Sequence, residues 1–340
     1  MVQIHISWTP EEYQPPQKPS WSAKMDDLMT ETSVTDDLCF TPLHHVVIGL
    51  EKADVYQQLR LNNNCINIPD SLGRSPLHWA VIQGNTSIIA ALLEHGAFPG
   101  SRDKEQMTPL HEVCRAPQSS QAACARLLID SGADVDARDS WGRTALRIAV
   151  GFTNTSPDLI EILLEEGADV NDSDIYGQTP LLKSIRAQSC IMELLLKHGA
   201  STEATDIYGN TPLSEAIYRN SAEQLNLLMK YGSKTNQLLD LQPGRRAREG
   251  RINILHFTAW YGGIEVMRAL ESSEQYLCRS PDPIDDFVQY KEVRLAHGLG
   301  VGKEEYEAFV HLLSTVKYSC EGGDEDEKDD PEGSVGSSCF

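Results

Sequence analysis

Residues 163–182 read Leu163-Leu164-Glu165-Glu166-Gly167-Ala168-Asp169-Val170-Asn171-Asp172-Ser173-Asp174-Ile175-Tyr176-Gly177-Gln178-Thr179-Pro180-Leu181-Leu182. Three local signals follow one another in this stretch. Leu163-Leu164 is the tail of an apolar helical stripe, and Gly167 is the residue type that closes a helix in the left-handed conformation. Asp174-Ile175-Tyr176-Gly177 carries Asp and Gly where a tight turn wants them. Thr179 then offers a hydroxyl to a new helix, and Pro180 fixes φ at a first helical position that has no amide partner to lose. A helix end, a turn and a helix start within twenty residues predict short stacked helices with projecting turns.

Working outward, the start signal recurs as Thr41-Pro42-Leu43-His44, Ser75-Pro76-Leu77-His78 and Thr108-Pro109-Leu110-His111. It continues, weakened, as Thr144-Ala145-Leu146-Arg147, Thr211-Pro212-Leu213-Ser214 and Asn253-Ile254-Leu255-His256. Including Thr179, the steps are 34, 33, 36, 35, 32 and 42 residues. The end signal keeps the same beat at Gly96-Ala97, Gly132-Ala133, Gly167-Ala168, Gly199-Ala200 and Gly232-Ser233, with Asn63 as a substitute one step earlier. Small residues (Ala80, Ala149, Ser184, Ala216) follow each Leu by about a turn, where a neighbouring helix must come close. The turn recurs at 70–73, 139–142 and 206–209.

The helix, helix, turn order, with TPLH and LLxxGAD at a beat near 33, resembles the ankyrin repeat family. The resemblance covers roughly residues 37–274 and is most specific from 70 to 239. It implies an all-α fold: an ankyrin-repeat solenoid of about six to seven repeats, with fingers projecting from a curved slab. A single unit cannot bury its apolar face, so neighbours stabilise one another along the stack.

The expected organisation is a loose N-terminal segment (1–36), a degenerate repeat (37–69) and five well-formed repeats (70–239). An insertion with a seventh, degenerate repeat (240–274), a helical C-terminal cap (275–318) and a disordered acidic tail (319–340) follow. The extra residues near Pro117-Gln118-Ser119-Ser120 and Thr153-Asn154-Thr155-Ser156-Pro157 are expected to bulge from one face. In the cap, two amphipathic helices at 283–297 and 303–318 are expected around Gly298-Leu299-Gly300-Val301-Gly302.

Composition limits the function. Asp and Glu number 50 against 29 Lys and Arg, a formal charge of −21, which disfavours nucleic acid and anionic membranes as partners. No secretory signal and no apolar run long enough to span a bilayer are read. The eight cysteines form no CxxC pair, which points to an intracellular location, cytoplasmic or nuclear, with neither metal nor cofactor expected. His44, His78, His111 and His256 recur because the repeat does, so a structural role is expected of them. No catalytic residues are assigned: no Ser/His/Asp or Cys/His set has an activating context, and Gly298-x-Gly300-x-Gly302 lacks the features of a phosphate loop. Arg245-Arg246-Ala247-Arg248 is read as a solvated insertion, with a targeting signal as the alternative. The acidic tail is considered as a competitor for the groove. Asn171 matches the asparagine hydroxylated in some ankyrin proteins, although its place in a turn accounts for it.

The resemblance implies a binding surface on the concave face, made of finger tips and the positions after each small residue of the first helix. Aligned, the first-helix positions give Arg115, Phe152, Arg186, Tyr218, Arg219, Trp260 and Tyr261; the third finger residues include Trp141, Tyr176 and Tyr208. Arg, Trp and Tyr are the types that most often dominate interface energy. A non-catalytic scaffold or adaptor is therefore expected, capturing a client protein of acidic and apolar character. A regulatory or assembly subunit of a larger complex is the alternative, and an enzyme with chemistry in residues 275–320 a remote one.

Overall fold

The computed structural model describes residues 38–50, 54–61, 63–187, 189–235, 238–241, 250–272 and 303–315. Seven helix pairs follow one another among them. They are α1 (Pro42–Val47) with α2 (Val55–Leu61), α3 (Pro76–Ile82) with α4 (Thr86–Glu94), and α5 (Pro109–Glu112) with α6 (Gln118–Asp130). Next come α7 (Ala145–Gly151) with α8 (Pro157–Glu165), α9 (Pro180–Ser184) with α10 (Ser189–Lys197), and α11 (Pro212–Tyr218) with α12 (Ala222–Lys230). The seventh pair is α13 (Ile254–Tyr261) with α14 (Ile264–Ser272), and α15 (Lys303–Thr315) lies beyond it. The helical solenoid predicted from the repeat is the observed architecture.

The repeating leucines build the core. Leu77, Leu110, Leu146, Leu181 and Leu213 are all buried to 2 % exposure or less, and the small residues Ala80, Ala149, Ser184 and Ala216 lie fully or almost fully buried beside them. Each such leucine contributes roughly 1.5–3 kcal/mol of burial, realised only because the next repeat covers it.

Three rows of hydrogen bonds run along the stack in addition to this core. The first joins the fingers. The second residue of each finger donates its amide to the third residue of the finger before: Lys104 to Leu72 (3.0 Å), Ser140 to Glu105 (2.9 Å), Ile175 to Trp141 (3.0 Å) and Ile207 to Tyr176 (3.0 Å). Inside each finger the Asp carboxylate accepts two amides, as Asp174 does from Tyr176 and Gln178. Gly177 takes φ +70°, and a Cβ there would lie 3.0 Å from the Asp206 Cα, so this turn both needs the left-handed conformation and has no room for a side chain.

The second row runs through the histidines. His78 Nδ1 accepts the Ser75 amide at 3.1 Å, which leaves the ring hydrogen on Nε2, and Nε2 donates to the Met107 carbonyl at 3.1 Å. His44 and His111 repeat this toward the carbonyls of Arg74 and Arg143. Every receiving carbonyl directly precedes the next helix cap. In the fourth repeat Arg147 occupies the histidine position, and its Nε donates to the equivalent Gln178 carbonyl at 2.9 Å. Burial pushes the His78 pKa down to about 4 and lowers those of His44 and His111, against the pull of their carbonyl partners.

The third row lies at the helix ends. Asn171 accepts the Ser201 amide at 2.7 Å and donates to the Gly199 carbonyl at 3.3 Å; Asn67 does the same with Phe98 and Gly96. Asn171 therefore has a structural task between two repeats. Asn63 instead opens a short 3-10 turn, Asn63–Cys65.

The structure departs from expectation in two connections. The extra residues of the third repeat do not bulge: they form the first turn of α6, which has 13 residues against nine in α4, α8, α10 and α12. Ala116 precedes Pro117 and is held extended (φ −63°, ψ 158°), so the first helix ends early in a 3-10 turn, Val113–Arg115. Fully buried Gln121 then ties this segment to the next repeat. Its two amide hydrogens are shared among the carbonyls of Cys114, Ala116 and Asn154, and its carbonyl accepts the Ser156 amide at 2.8 Å. Before the seventh repeat, β1 (Leu238–Leu241) and β2 (Gly250–Asn253) form an antiparallel hairpin, with Leu239 opposite Ile252. Arg245, Arg246 and Arg248 lie outside the described residues, as do the first proposed cap helix (283–297) and the acidic tail. Helix α15 packs on α14, with Phe309 and Leu312 fully buried and His311 Nδ1 2.5 Å from Glu271 Oε1.

Candidate partner-binding groove

The candidate face is made of first-helix ends and finger tips. Along it the arginines are held by carboxylates of the chain itself. Arg115 Nε lies 2.9 Å from Glu112 Oε2, and Glu112, completely buried, also meets Arg74 at 3.4 Å. Glu215 gathers two of the predicted residues: Arg219 Nε at 2.7 Å and Arg186 at 3.7 Å, each with about a third of its side chain exposed. These pairs fix where the guanidinium groups sit and offset part of the row's charge.

The predicted aromatics divide. Tyr218 is 39 % exposed and its ring meets Tyr261 at 5.3 Å, while Tyr261 continues to Phe257 at 4.8 Å. Phe152 is partly buried and packs on the hydrophobic core. Trp260 belongs to α13, but its side chain lies outside the described residues. On the fingers, Trp141 is half-buried under the Arg143 guanidinium, 4.6 Å above its ring, whereas Tyr176 and Tyr208 are exposed.

The sequence reading missed three residues on this face. Ile175 (58 % exposed) and Ile207 (51 %) stand beside the two exposed tyrosines, so adjacent fingers present four large apolar side chains to solvent. The signal was an aliphatic residue inside an Asp-to-Gly turn. Lys183 is the third. It lies one helical turn before Arg186, at the position where other repeats carry buried Trp79, Glu112, Ile148 and Glu215. Burial, then the charges of Arg147 and Arg186, push its amine down to about 8.

The three described repeat histidines are locked in hydrogen bonds, and burial raises the thiols of Cys114 and Cys124 to about 12 and 11. Among the described residues, no group of three or more His, Cys, Asp or Glu side chains is placed to hold a metal ion. No described helix is long and apolar enough to cross a membrane.

A family model described as ankyrin repeats matches three times, over residues 25–103, 98–174 and 146–238, together more than half of the chain. The chain belongs to the ankyrin-repeat family. Among curated ankyrin-repeat relatives, the p105 subunit of nuclear factor NF-kappa-B from Gallus gallus is 35% identical over 35% of this chain and 12% of its own length. The B-cell lymphoma 3 protein homolog of Mus musculus is 32% identical over 36% of this chain and 28% of its own. The NF-kappa-B inhibitor alpha of Sus scrofa is 40% identical over 21% of this chain and 24% of its own. The chain thus spans well under a third of these relatives' lengths. The crystal structure of the ankyrin repeat domain of Bcl-3, described as a unique member of the IkappaB protein family, matches with a TM-score of 0.51 and 31% identity. That match covers 58% of this chain and 88% of the other.

Proposed function

We propose that this ankyrin-repeat chain is a non-catalytic scaffold or adaptor that captures a client protein on its concave face and finger tips. One observation carries the reading: Ile175, Tyr176, Ile207 and Tyr208 are exposed on two neighbouring fingers joined by a backbone hydrogen bond, in the same two repeats that carry the Arg186–Glu215–Arg219 row. A rigid surface holding apolar side chains next to anchored cations suits an extended or loop-bearing client of acidic and apolar character, because little side-chain order remains to be gained on binding. The relatives support it, since an inhibitor and a subunit of NF-kappa-B are by name proteins that act through another protein. The same names favour a second form of the reading, a regulatory or assembly subunit, and agree with an intracellular location.

The test compares proteins captured from native cells by the wild-type chain, the double variant Ile175→Ser/Ile207→Ser, and Arg126→Ala on the exposed side of α6. A defined set of proteins should be lost only with the finger variant, at unchanged melting temperature. Equal capture by all three would refute the assignment of the binding face.

A further inference from the structure

The cations between the fourth and fifth repeats are unequal. Arg143 is held by Asp139 through both Nε (2.7 Å) and a terminal nitrogen (2.6 Å). Arg147 meets Asp174 at 2.8 Å, and Arg186 and Arg219 share Glu215. Lys183 lies among these groups, yet no carboxylate of the described residues is within ion-pairing distance of its amine. Among the described residues, five cations thus stand near three carboxylates, and Lys183 is the one with no carboxylate at ion-pairing distance.

A glycine lies against its stem. Gly151, at the exposed end of α7, stands where a Cβ would lie 3.1 Å from Lys183 Cε and 4.0 Å from Arg147 Nη1. Any side chain at 151 would crowd the lysine stem, so glycine there lets the stem lie against the end of α7. Resting on the groove reading above, we propose that Lys183 is the anchor for one carboxylate, an Asp or Glu side chain, of the client segment crossing between the fourth and fifth repeats.

The chemistry selects a carboxylate over a phosphoryl group. A phosphoryl dianion is best held by a fork of guanidinium donors, and the forks here are engaged by Asp139, Asp174 and Glu215. A single compact ammonium remains, matched to a single negative oxygen pair. Ile175 and Tyr176, on the finger whose Asp174 pairs with Arg147, provide apolar ground for the residues flanking that carboxylate. The amine is already short of water and repelled by Arg143, Arg147 and Arg186, with Asp174 the opposing charge. An incoming anion relieves that repulsion while bringing no new cation to desolvate.

The experiment pans a displayed library of random twelve-residue peptides against the full chain and against Lys183→Glu at neutral pH. Wild type should enrich peptides with an acidic residue at a fixed distance from apolar ones, and Lys183→Glu should replace that acidic preference with Lys or Arg. Acidic enrichment that persists in Lys183→Glu, but disappears in Ile175→Ser/Ile207→Ser, overturns the lysine assignment and leaves the groove reading standing. Failure of wild type to enrich any finger-dependent peptide overturns both. A second measurement requires no charge reversal. With an amine near 8, the strongest peptide (one with no group titrating between pH 7 and 9) should bind wild type about tenfold more weakly at pH 9 than at pH 7. Lys183→Arg should bind with a flat profile, and a flat profile in wild type refutes the proposal.

Discussion

Acidification should loosen the stack through His78 before the carboxylates titrate. The ring is neutral when folded, because Nδ1 must accept the Ser75 amide while Nε2 donates to Met107. Its pKa falls from 6.5 to about 4 on folding, so between those values the unfolded chain binds the proton and the folded one does not. Stability from this group is complete above pH 6.5 and is lost as pH falls toward 4. Linkage gives a loss of about 2 kcal/mol at pH 5 and about 3 kcal/mol once the folded ring is also protonated. His44 and His111 shift in the same direction and add to the loss. The assay is urea unfolding followed by tryptophan emission at pH 7 and pH 5, for wild type and His78→Gln. The variant is less stable at pH 7, and its deficit should shrink by about 2 kcal/mol at pH 5, because it has no ring to protonate. A deficit constant to within about 0.5 kcal/mol, or an NMR titration placing the His78 pKa near that of a free imidazole, would refute the reasoning.

Three further outcomes are expected. Gln106, exposed with φ +62°, occupies the finger position that other repeats give to glycine, so Gln106→Gly should stabilise the chain by about 0.5–1 kcal/mol in urea unfolding. Gln121→Leu removes the side chain that serves the Ser156 amide and three carbonyls, which should cost at least about 3 kcal/mol. Alkylation of the folded chain at neutral pH, read by mass spectrometry, should spare Cys114 and Cys124, whose buried thiols are held at about 12 and 11, and mark exposed Cys39 and Cys190.

The solenoid was legible because its punctuation is local. A cap such as Thr179, a proline after it and a left-handed glycine such as Gly167 act within a few residues of chain, so their beat survives in one sequence. The binding face was legible only in outline. Alignment places Arg186, Tyr218 and Arg219 near one another, but whether Arg186 is offered or already engaged depends on Glu215, which becomes its partner only after two repeats dock. Lys183 escaped notice for a related reason: Arg143 and Arg147, which act on it, come from the preceding repeat. The hairpin before the seventh repeat gave no warning either, since Leu238-Leu239-Asp240-Leu241 and Gly250-Arg251-Ile252-Asn253 are too short to show an alternating pattern. The insertion near Pro117 was misread because its position was visible while its conformation, a helical first turn, was set by Gln121 reaching into the next unit.

The histidine rungs reach the main chain of the following unit and ignore its side chains. Removing residues 108–143 would join Met107 directly to Thr144, and His78 would still find its carbonyl one residue ahead of a cap. A junction that recognises only peptide groups imposes no vocabulary on what it joins. Units of this kind are free to be lost, copied or re-lettered on their outer face while the chain keeps its spine, and the surface shown to a client can drift without renegotiating the fold.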